Sequence, residues 1–146
     1  MNEKFAVCPC ATGLGLFALE KIPPEQRLIE YTGERIAVAA AVQSESQFLM
    51  HLNKTYYLDG ADEANLARYI NHSCQPNSAA YTTGRHVWIW SEKEIQPGEE
   101  ITLDYGEEYF NAFIKPIGCK CRVCNQKREK QAGKNLKRKR KTVRGA

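Results

Sequence analysis

The chain has 146 residues, 42% hydrophobic and 26% charged, enough for one domain with a real core and too few for two comfortable ones. No stretch approaches the roughly 18 apolar residues of a membrane helix, and the start lacks a basic-then-apolar leader. The expectation is a soluble, intracellular protein with no membrane partner, whose six cysteines serve as metal ligands or free thiols rather than as three disulfides.

The net charge of +4 conceals a division. From Asn125 onward ten Lys or Arg stand against Glu129 alone, a local charge of +9, which leaves −5 on the residues before it. The description that follows is an acidic globule with a basic tail. Residues 126–146 hold too few apolar side chains to bury and are expected to be disordered in isolation.

Along the chain, residues 5–30 alternate short apolar runs with the turn signals "ATGLG" and "KIPPEQ", which predicts short strands. "ERIAVAAAVQSESQFLMHL" is Ala-rich and predicts the one good helix, over roughly 36–50. "TYYLDG" reads as a strand ending in an Asp-Gly turn. "SAAYTTGRHVWIWS" reads as two strands about a Thr-Gly turn, and "EIQPGEEITLDYG" as a Pro-Gly turn leading into a strand. The fold class expected is mainly β (α+β), with one or two short helices and no internal repeat.

Several short segments carry chemistry. "GCKCRVC" holds Cys119, Cys121 and Cys124, three thiols that can wrap one tetrahedral ion but leave a closed zinc site one ligand short. Cys8, Cys10, Cys74 and the histidines are the available fourth ligands; spacing alone does not choose among them. Cys8 and Cys10 also read as ordinary small residues near a strand end. In "TGLGLFA", Gly13 and Gly15 suit a tight turn or a backbone lying close to a ligand, without the third glycine and following helix of a dinucleotide site. In "ARYINHSCQPN", Asn71, Ser73 and Asn77 suit turns and Pro76 fixes a bend, which leaves Arg68, His72 and Cys74 unexplained.

Taken in order, "GLGLFA", "YTGERI", "NLARYINHSCQPN", "GEEITLDYG" and "GCKCRVC" resemble the SET-domain protein lysine methyltransferases with their post-SET cysteine motif. The resemblance runs over about residues 5–125. It implies a SET domain over 1–112, built of short β-sheets with a pseudoknot, and a zinc-bound post-SET segment over 113–125, in a minimal stand-alone form. It further implies that Cys74 joins Cys119, Cys121 and Cys124 on one Zn2+. Cys8 and Cys10 are then left unligated.

The same resemblance assigns roles by position. Gly13, Leu14 and Gly15, with Asn71 and His72 and, less closely, Phe48, match the positions that contact S-adenosyl-L-methionine. Tyr105 matches the catalytic tyrosine at the methyl-transfer point and also touches the cofactor. Tyr31 matches a tyrosine of the substrate channel, and Leu103 a channel position that governs how many methyl groups are added. Arg68 stands at the usual place before the Asn-His pair, and also reads as a surface ion-pair partner. Tyr56 and Tyr57 alternate on a strand, so one of them is expected to face the core.

The function implied is methyl transfer to the lysine ε-amine of a basic protein, a histone or a histone-like nucleoid protein. The location implied is the cytoplasm or nucleoid in a prokaryote and the nucleus in a eukaryote. An alternative from another class is a non-catalytic zinc-containing module that binds basic tails or nucleic acid. The basic tail supports nucleic-acid contact through phosphate neutralisation, and equally suits an import signal or a solubilising segment.

Overall fold

The computed structural model describes residues 3–144, with side chains to Lys134. The chain divides into two compact units. The stretches up to His72 and from Pro76 to Leu103 make the first; Ser73–Gln75 and the residues from Asp104 onward make the second.

Small sheets dominate the first unit. Strands β1 (Phe5–Cys10) and β2 (Gly13–Ala18) form an antiparallel hairpin, with Phe5 opposite Ala18 and Cys10 opposite Gly13. Gly13 has φ of 115° and closes the turn where a side chain would be strained. Strand β3 (Arg27–Tyr31) joins a three-stranded sheet in the order β3-β9-β8, where β8 is Ser78–Thr83 and β9 is His86–Ser91. A second three-stranded sheet has the order β4-β6-β5, from Glu34–Ala37, Tyr56–Asp59 and Leu49–His51. Finally, β7 (Asn71–His72) pairs in parallel with β10 (Thr102–Leu103), Asn71 opposite Thr102 and His72 opposite Leu103.

Alternation fixes the core. In "HVWIWS", Val87, Ile89 and Ser91 point inward and are nearly solvent-free, while the residues between them are partly or fully exposed. Leu16, Ile70, Ile95 and Ile101 are likewise fully buried, as are the polar Asn65 and Ser78. Each of the Val, Leu and Ile side chains so buried contributes about 1.5–3 kcal/mol relative to exposure. Bridges between Phe17 and Glu100, and between Ile22 and Ile95, tie the hairpin and the loop after it to the segment before β10.

The predicted strands are present, but the predicted helix over 36–50 is not. Helix α1 covers only Val38–Gln43, with β4 before it and β5 after it. Alanine-rich composition favours a helix, but the serines that follow compete for the backbone. Ser44 Oγ accepts from the Ser46 N–H at 3.1 Å, and Ser46 Oγ accepts from the Phe48 N–H at 3.2 Å. Leu49, Met50 and His51 are then taken up by pairing with β6.

Asn77, read from sequence as a turn residue, is a buried staple. Its Oδ1 accepts from the Thr102 N–H at 3.0 Å and its Nδ2 donates to the Glu100 carbonyl at 2.8 Å. One primary amide thus stands in for a strand pairing beside β10.

In the second unit, Gly106 takes φ of 92° and starts a run of short helical turns. Helix α2 (Glu107–Tyr109) passes into a π turn at Phe110–Ile114 and a 3-10 turn at Lys115–Ile117 that contains Pro116. Gly118, with φ of 87°, precedes the thiol-rich segment. Helix α3 then runs over Arg122–Arg144, where composition predicted a disordered tail. Lys, Arg, Gln and Glu are good helix formers, and the first turns are anchored. Asn125 Nδ2 donates to the Lys120 carbonyl at 2.9 Å, and the Arg128 guanidinium donates to the Cys119 carbonyl and to Asn125 Oδ1. The last two residues of that predicted tail lie outside the described residues.

Candidate functional site

Asn71 is the hub of the first unit. From β7 its Nδ2 donates to the Leu14 carbonyl at 2.9 Å and to Glu100 Oε1 at 2.9 Å, with Cys10 Sγ at 3.3 Å. The two-glycine stretch and the Asn-His pair, 57 residues apart, therefore meet through one amide. Gly15 has a role that its sequence context did not give. A Cβ there would collide with Glu100 Oε1 and lie 3.1 Å from Glu100 Cδ. The missing side chain at 15 makes room for Glu100.

Tyr31 and Phe48 also meet. Tyr31, 6% exposed, donates its hydroxyl to the Phe48 carbonyl at 2.7 Å. The same carbonyl takes the Gly60 N–H at 2.9 Å. A Cβ on Gly60 would lie 2.5 Å from the Tyr31 ring, so that glycine is needed for the ring to pack. Asn65, fully buried, holds the surrounding loops: its Oδ1 accepts from the Thr32 N–H at 3.1 Å and its Nδ2 donates to the Gly60 carbonyl at 3.0 Å. Sequence reasoning passed over Asn65, and the only signal for it is its place six residues before Asn71.

Arg68 packs as a cation on aromatic faces. Its guanidinium carbon lies 4.4 Å from the centre of the Phe48 ring and 5.2 Å from that of Tyr69. Its Nε is buried without a hydrogen-bond partner, a cost that the two ring faces offset in part. Leu103 is buried at 4% exposure and sits opposite His72 in the parallel pair. Neither Tyr56 nor Tyr57 is the core residue of its strand: both are half-buried, Tyr56 under Arg35 and Tyr57 edge-on to His51, and Leu58 is buried instead. An open depression of about 420 Å³, lined by Glu34, Asp59, Asp62 and Asn65 among others, includes none of the expected site residues.

The second unit gathers Cys74, Cys119, Cys121 and Cys124, whose sulfur atoms all lie within 4.8 Å of one another. Cys74 Sγ is 3.8 Å from Cys119 Sγ and 3.6 Å from Cys124 Sγ. Four sulfurs at about 2.3 Å from one tetrahedral ion are spaced by about 3.8 Å, so this donor set fits a closed zinc site. Among the described residues, neither Cys8 nor Cys10 belongs to the group.

Electrostatics agrees with that geometry. Burial pushes the Cys74 thiol well above its ordinary range, with hydrogen bonds from the other three thiols adding to the effect. Burial also raises Cys119. Burial pulls Cys121 upward too, but hydrogen bonds from the backbone at Cys74 and Cys124 and from two thiols outweigh it and lower Cys121 to about 6. Packed without a cation, four thiolates would repel one another. A divalent ion removes that conflict.

Tyr105 lies in this second unit, half-buried, its ring edge-on to Tyr109 with centroids 5.0 Å apart. Tyr109 in turn tilts against Phe113 at 4.8 Å. Burial raises the Tyr109 phenol above its usual value. Sequence reasoning missed both ring partners, although their spacing of four residues from Tyr105 onward is that of one helical face.

A model of the SET domain family matches residues 13–106. Among similar proteins, "Histone-lysine N-methyltransferase set-2" of Caenorhabditis elegans is 36% identical over 106 residues, covering 64% of this chain and 7% of its own length. "Histone-lysine N-methyltransferase, H3 lysine-4 specific" of Schizosaccharomyces pombe is 35% identical over 121 residues, with 74% and 13% covered. "Histone-lysine N-methyltransferase Set2" of Drosophila melanogaster is 34% identical over 126 residues, with 77% and 5% covered. The chain thus spans between 5% and 13% of the length of these relatives. The matched segment begins at Gly13 and ends at Gly106, taking in the glycine stretch, the Asn-His pair and the Asp-Tyr motif: this chain belongs to the SET domain family.

Proposed function

We propose that this protein is an S-adenosylmethionine-dependent methyltransferase acting on the lysine ε-amine of a basic protein, a histone or histone-like tail. Family membership supports the reading, and the observation that carries it is the Asn71 amide bridging to the Leu14 carbonyl. That bridge joins the two segments to which the methyl donor is assigned. S-adenosylmethionine, when bound, supplies a methyl group activated by a sulfonium charge.

The chain's own residues then have distinct tasks. Gly13, Leu14 and Gly15 offer backbone groups, and Asn71 and His72 the polar contacts, on the cofactor side, with Phe48 adding an aromatic face. A lysine amine with an ordinary pKa of about 10.4 is mostly protonated at neutral pH, and a channel walled by Tyr31 and Leu103 disfavours the charged form by desolvation. The Tyr31 hydroxyl proton is committed to the Phe48 carbonyl, so this oxygen serves the amine as an acceptor. Tyr105 is the proposed catalytic residue, orienting the amine toward the methyl carbon. Alignment of nucleophile and leaving group supplies much of the acceleration.

Cys74, Cys119, Cys121 and Cys124 are proposed to hold one zinc, which organises the segment after Gly118. Of these relatives' names one specifies H3 lysine 4 and the other two give no lysine, so the proposal names a basic tail and no single lysine. Excess negative charge before Asn125 favours such a substrate by long-range attraction. Lys127, Lys130 and Lys134, exposed on α3, suit contact with nucleic acid, and the setting proposed is chromatin or its prokaryotic counterpart.

The test is incubation of histones and basic nucleoid proteins with S-adenosylmethionine, read by mass. Added methyl groups on lysine that vanish with Tyr105→Phe support the reading. No methylation of any basic protein, with no binding of S-adenosylmethionine by calorimetry, overturns it.

A further inference from the structure

Resting on that reading, we propose that Glu100 is a positioning residue of the site, fixing the amide of Asn71 so that its carbonyl oxygen is the atom offered to the methyl donor. Three groups surround the Asn71 nitrogen: the Leu14 carbonyl at 2.9 Å, Glu100 Oε1 at 2.9 Å and Cys10 Sγ at 3.3 Å. A carbonyl and an ionised carboxylate can only accept. Their joint presence identifies this end of the amide as NH2 and excludes the flipped orientation. An NH2 group has two hydrogens, and the two oxygens are the stronger acceptors, so both hydrogens are committed. Cys10 is left the weaker contact and has Thr12 Oγ1 at 3.3 Å as its own partner. What Asn71 can offer a ligand is therefore Oδ1, an acceptor suited to the ammonium of an amino-acid-like methyl donor.

Glu100 reaches this place by specific arrangements of its neighbours. Its backbone is bridged to Phe17 and its carbonyl is held by Asn77 Nδ2 at 2.8 Å. Its carboxylate occupies the space that a side chain on Gly15 would fill, and a Cβ at 15 would also lie 3.2 Å from Asn71 Nδ2. Gly15, Glu100 and Asn71 thus form one interlocked set. The glycine is absent-sided so that the carboxylate can hold the amide. Losing the carboxylate leaves the Asn71 amide held by the Leu14 carbonyl and the weaker Cys10 contact alone, so that its Oδ1 is less firmly fixed in place.

The experiment measures S-adenosylmethionine and S-adenosylhomocysteine binding by calorimetry for the parent, Glu100→Gln, Glu100→Leu and Gly15→Ala, with the Asn71 side-chain amide resonance recorded in the ligand-free proteins. Glu100→Gln keeps an acceptor and should bind within roughly threefold of the parent, whereas Glu100→Leu should weaken binding roughly ten- to a hundredfold and shift the Asn71 resonance. Gly15→Ala displaces the carboxylate without removing it and should imitate Glu100→Leu, even where the leucine variant folds poorly. Glu100→Leu combined with Asn71→Ala should bind no more weakly than Asn71→Ala alone, an outcome a general loss of structure does not give. Parent-like affinity in both Glu100→Leu and Gly15→Ala, or full additivity in the double variant, overturns the positioning role while leaving the methyltransferase reading intact. Failure of the parent itself to bind either ligand overturns both.

Discussion

The hydroxyl of Tyr31 donates to the carbonyl of Phe48 at 2.7 Å, joining the end of β3 to the residue just before β5. Because the Gly60 N–H uses the same carbonyl, Tyr31→Phe leaves that acceptor satisfied. The expected stability loss is about 0.5–1.5 kcal/mol, that of one ordinary hydrogen bond, read from the denaturation midpoint. Methyl transfer should fall by a larger factor than so small a structural loss accounts for, because the oxygen proposed to accept from the amine is gone. Equal rates in parent and variant would remove Tyr31 from the channel.

The strands and their turns were legible because alternation of buried and exposed residues is written locally, as in Val87, Ile89 and Ser91. The four-thiol cluster was legible in three of its members from spacing, and in Cys74 only through the resemblance, since 45 residues separate it from Cys119. The interlocking of Gly15 with Glu100 was not legible at all. It depends on two segments meeting side by side, and no local pattern in "GLGL" or "GEEI" records which side chain fills the space over a glycine. The helix over 36–50 was misread for a related reason: alanines signal propensity, while the Ser44 and Ser46 hydroxyls and the pairing of β5 with β6 act through partners elsewhere.

Metal content provides the next test. Protein purified without chelator should carry one zinc per chain, and Cys74→Ala should lose it. Removing the ion should loosen the start of α3, where Cys124 N–H faces Cys121 Sγ at 3.5 Å and Asn125 N–H donates to the Cys121 carbonyl at 2.9 Å. The buried set around Leu16, Ile89 and Ile101 makes no use of these thiols, so far-ultraviolet signals of the β-sheets should persist. Retained zinc in Cys74→Ala would show that another ligand closes the site.

Tyr105→Phe removes one hydroxyl and keeps the ring that packs edge-on against Tyr109. Folding and binding of S-adenosylmethionine should survive, within about twofold by calorimetry, because no apolar contact is lost. Methyl transfer should drop by two orders of magnitude or more, on the scale of a lost positioning group. A variant that turns over at the parent rate would exclude the tyrosine from chemistry.

Tyr109 leads to a pH prediction. Burial raises its phenol above the usual value, so in the folded protein it ionises at higher pH than in the unfolded chain. The unfolded state then loses its proton first, and the stabilising difference present below the unfolded value of about 10 is lost as pH rises through the folded one. Stability measured between pH 9 and 12 should fall with pH, and Tyr109→Phe should flatten part of that fall. Absorbance at alkaline pH should show one fewer late-titrating tyrosine in the variant than in the parent, where the Tyr81 phenol is also raised, by its hydrogen bond to Glu92.

Leu103 sets the last expectation, the number of methyl groups added. Its side chain is buried, and its backbone is fixed by parallel pairing opposite His72; in the proposed channel it offers an apolar group that cannot hold a water by a hydrogen bond. A tyrosine at this position could hold one through its hydroxyl and fill the space that a growing methylammonium needs. With leucine, transfer should therefore pass beyond one methyl, and di- or trimethyl-lysine should accumulate on a single-lysine peptide in excess S-adenosylmethionine. Leu103→Tyr should shift the products toward monomethyl-lysine. Because overpacking a buried leucine costs about 1–3 kcal/mol, a denaturation midpoint must accompany the time course, so that a slower enzyme is not mistaken for a more restrictive one. A parent that halts at one methyl, unchanged by Leu103→Tyr in a folded variant, would place control of product elsewhere, with Tyr31 the first residue to examine.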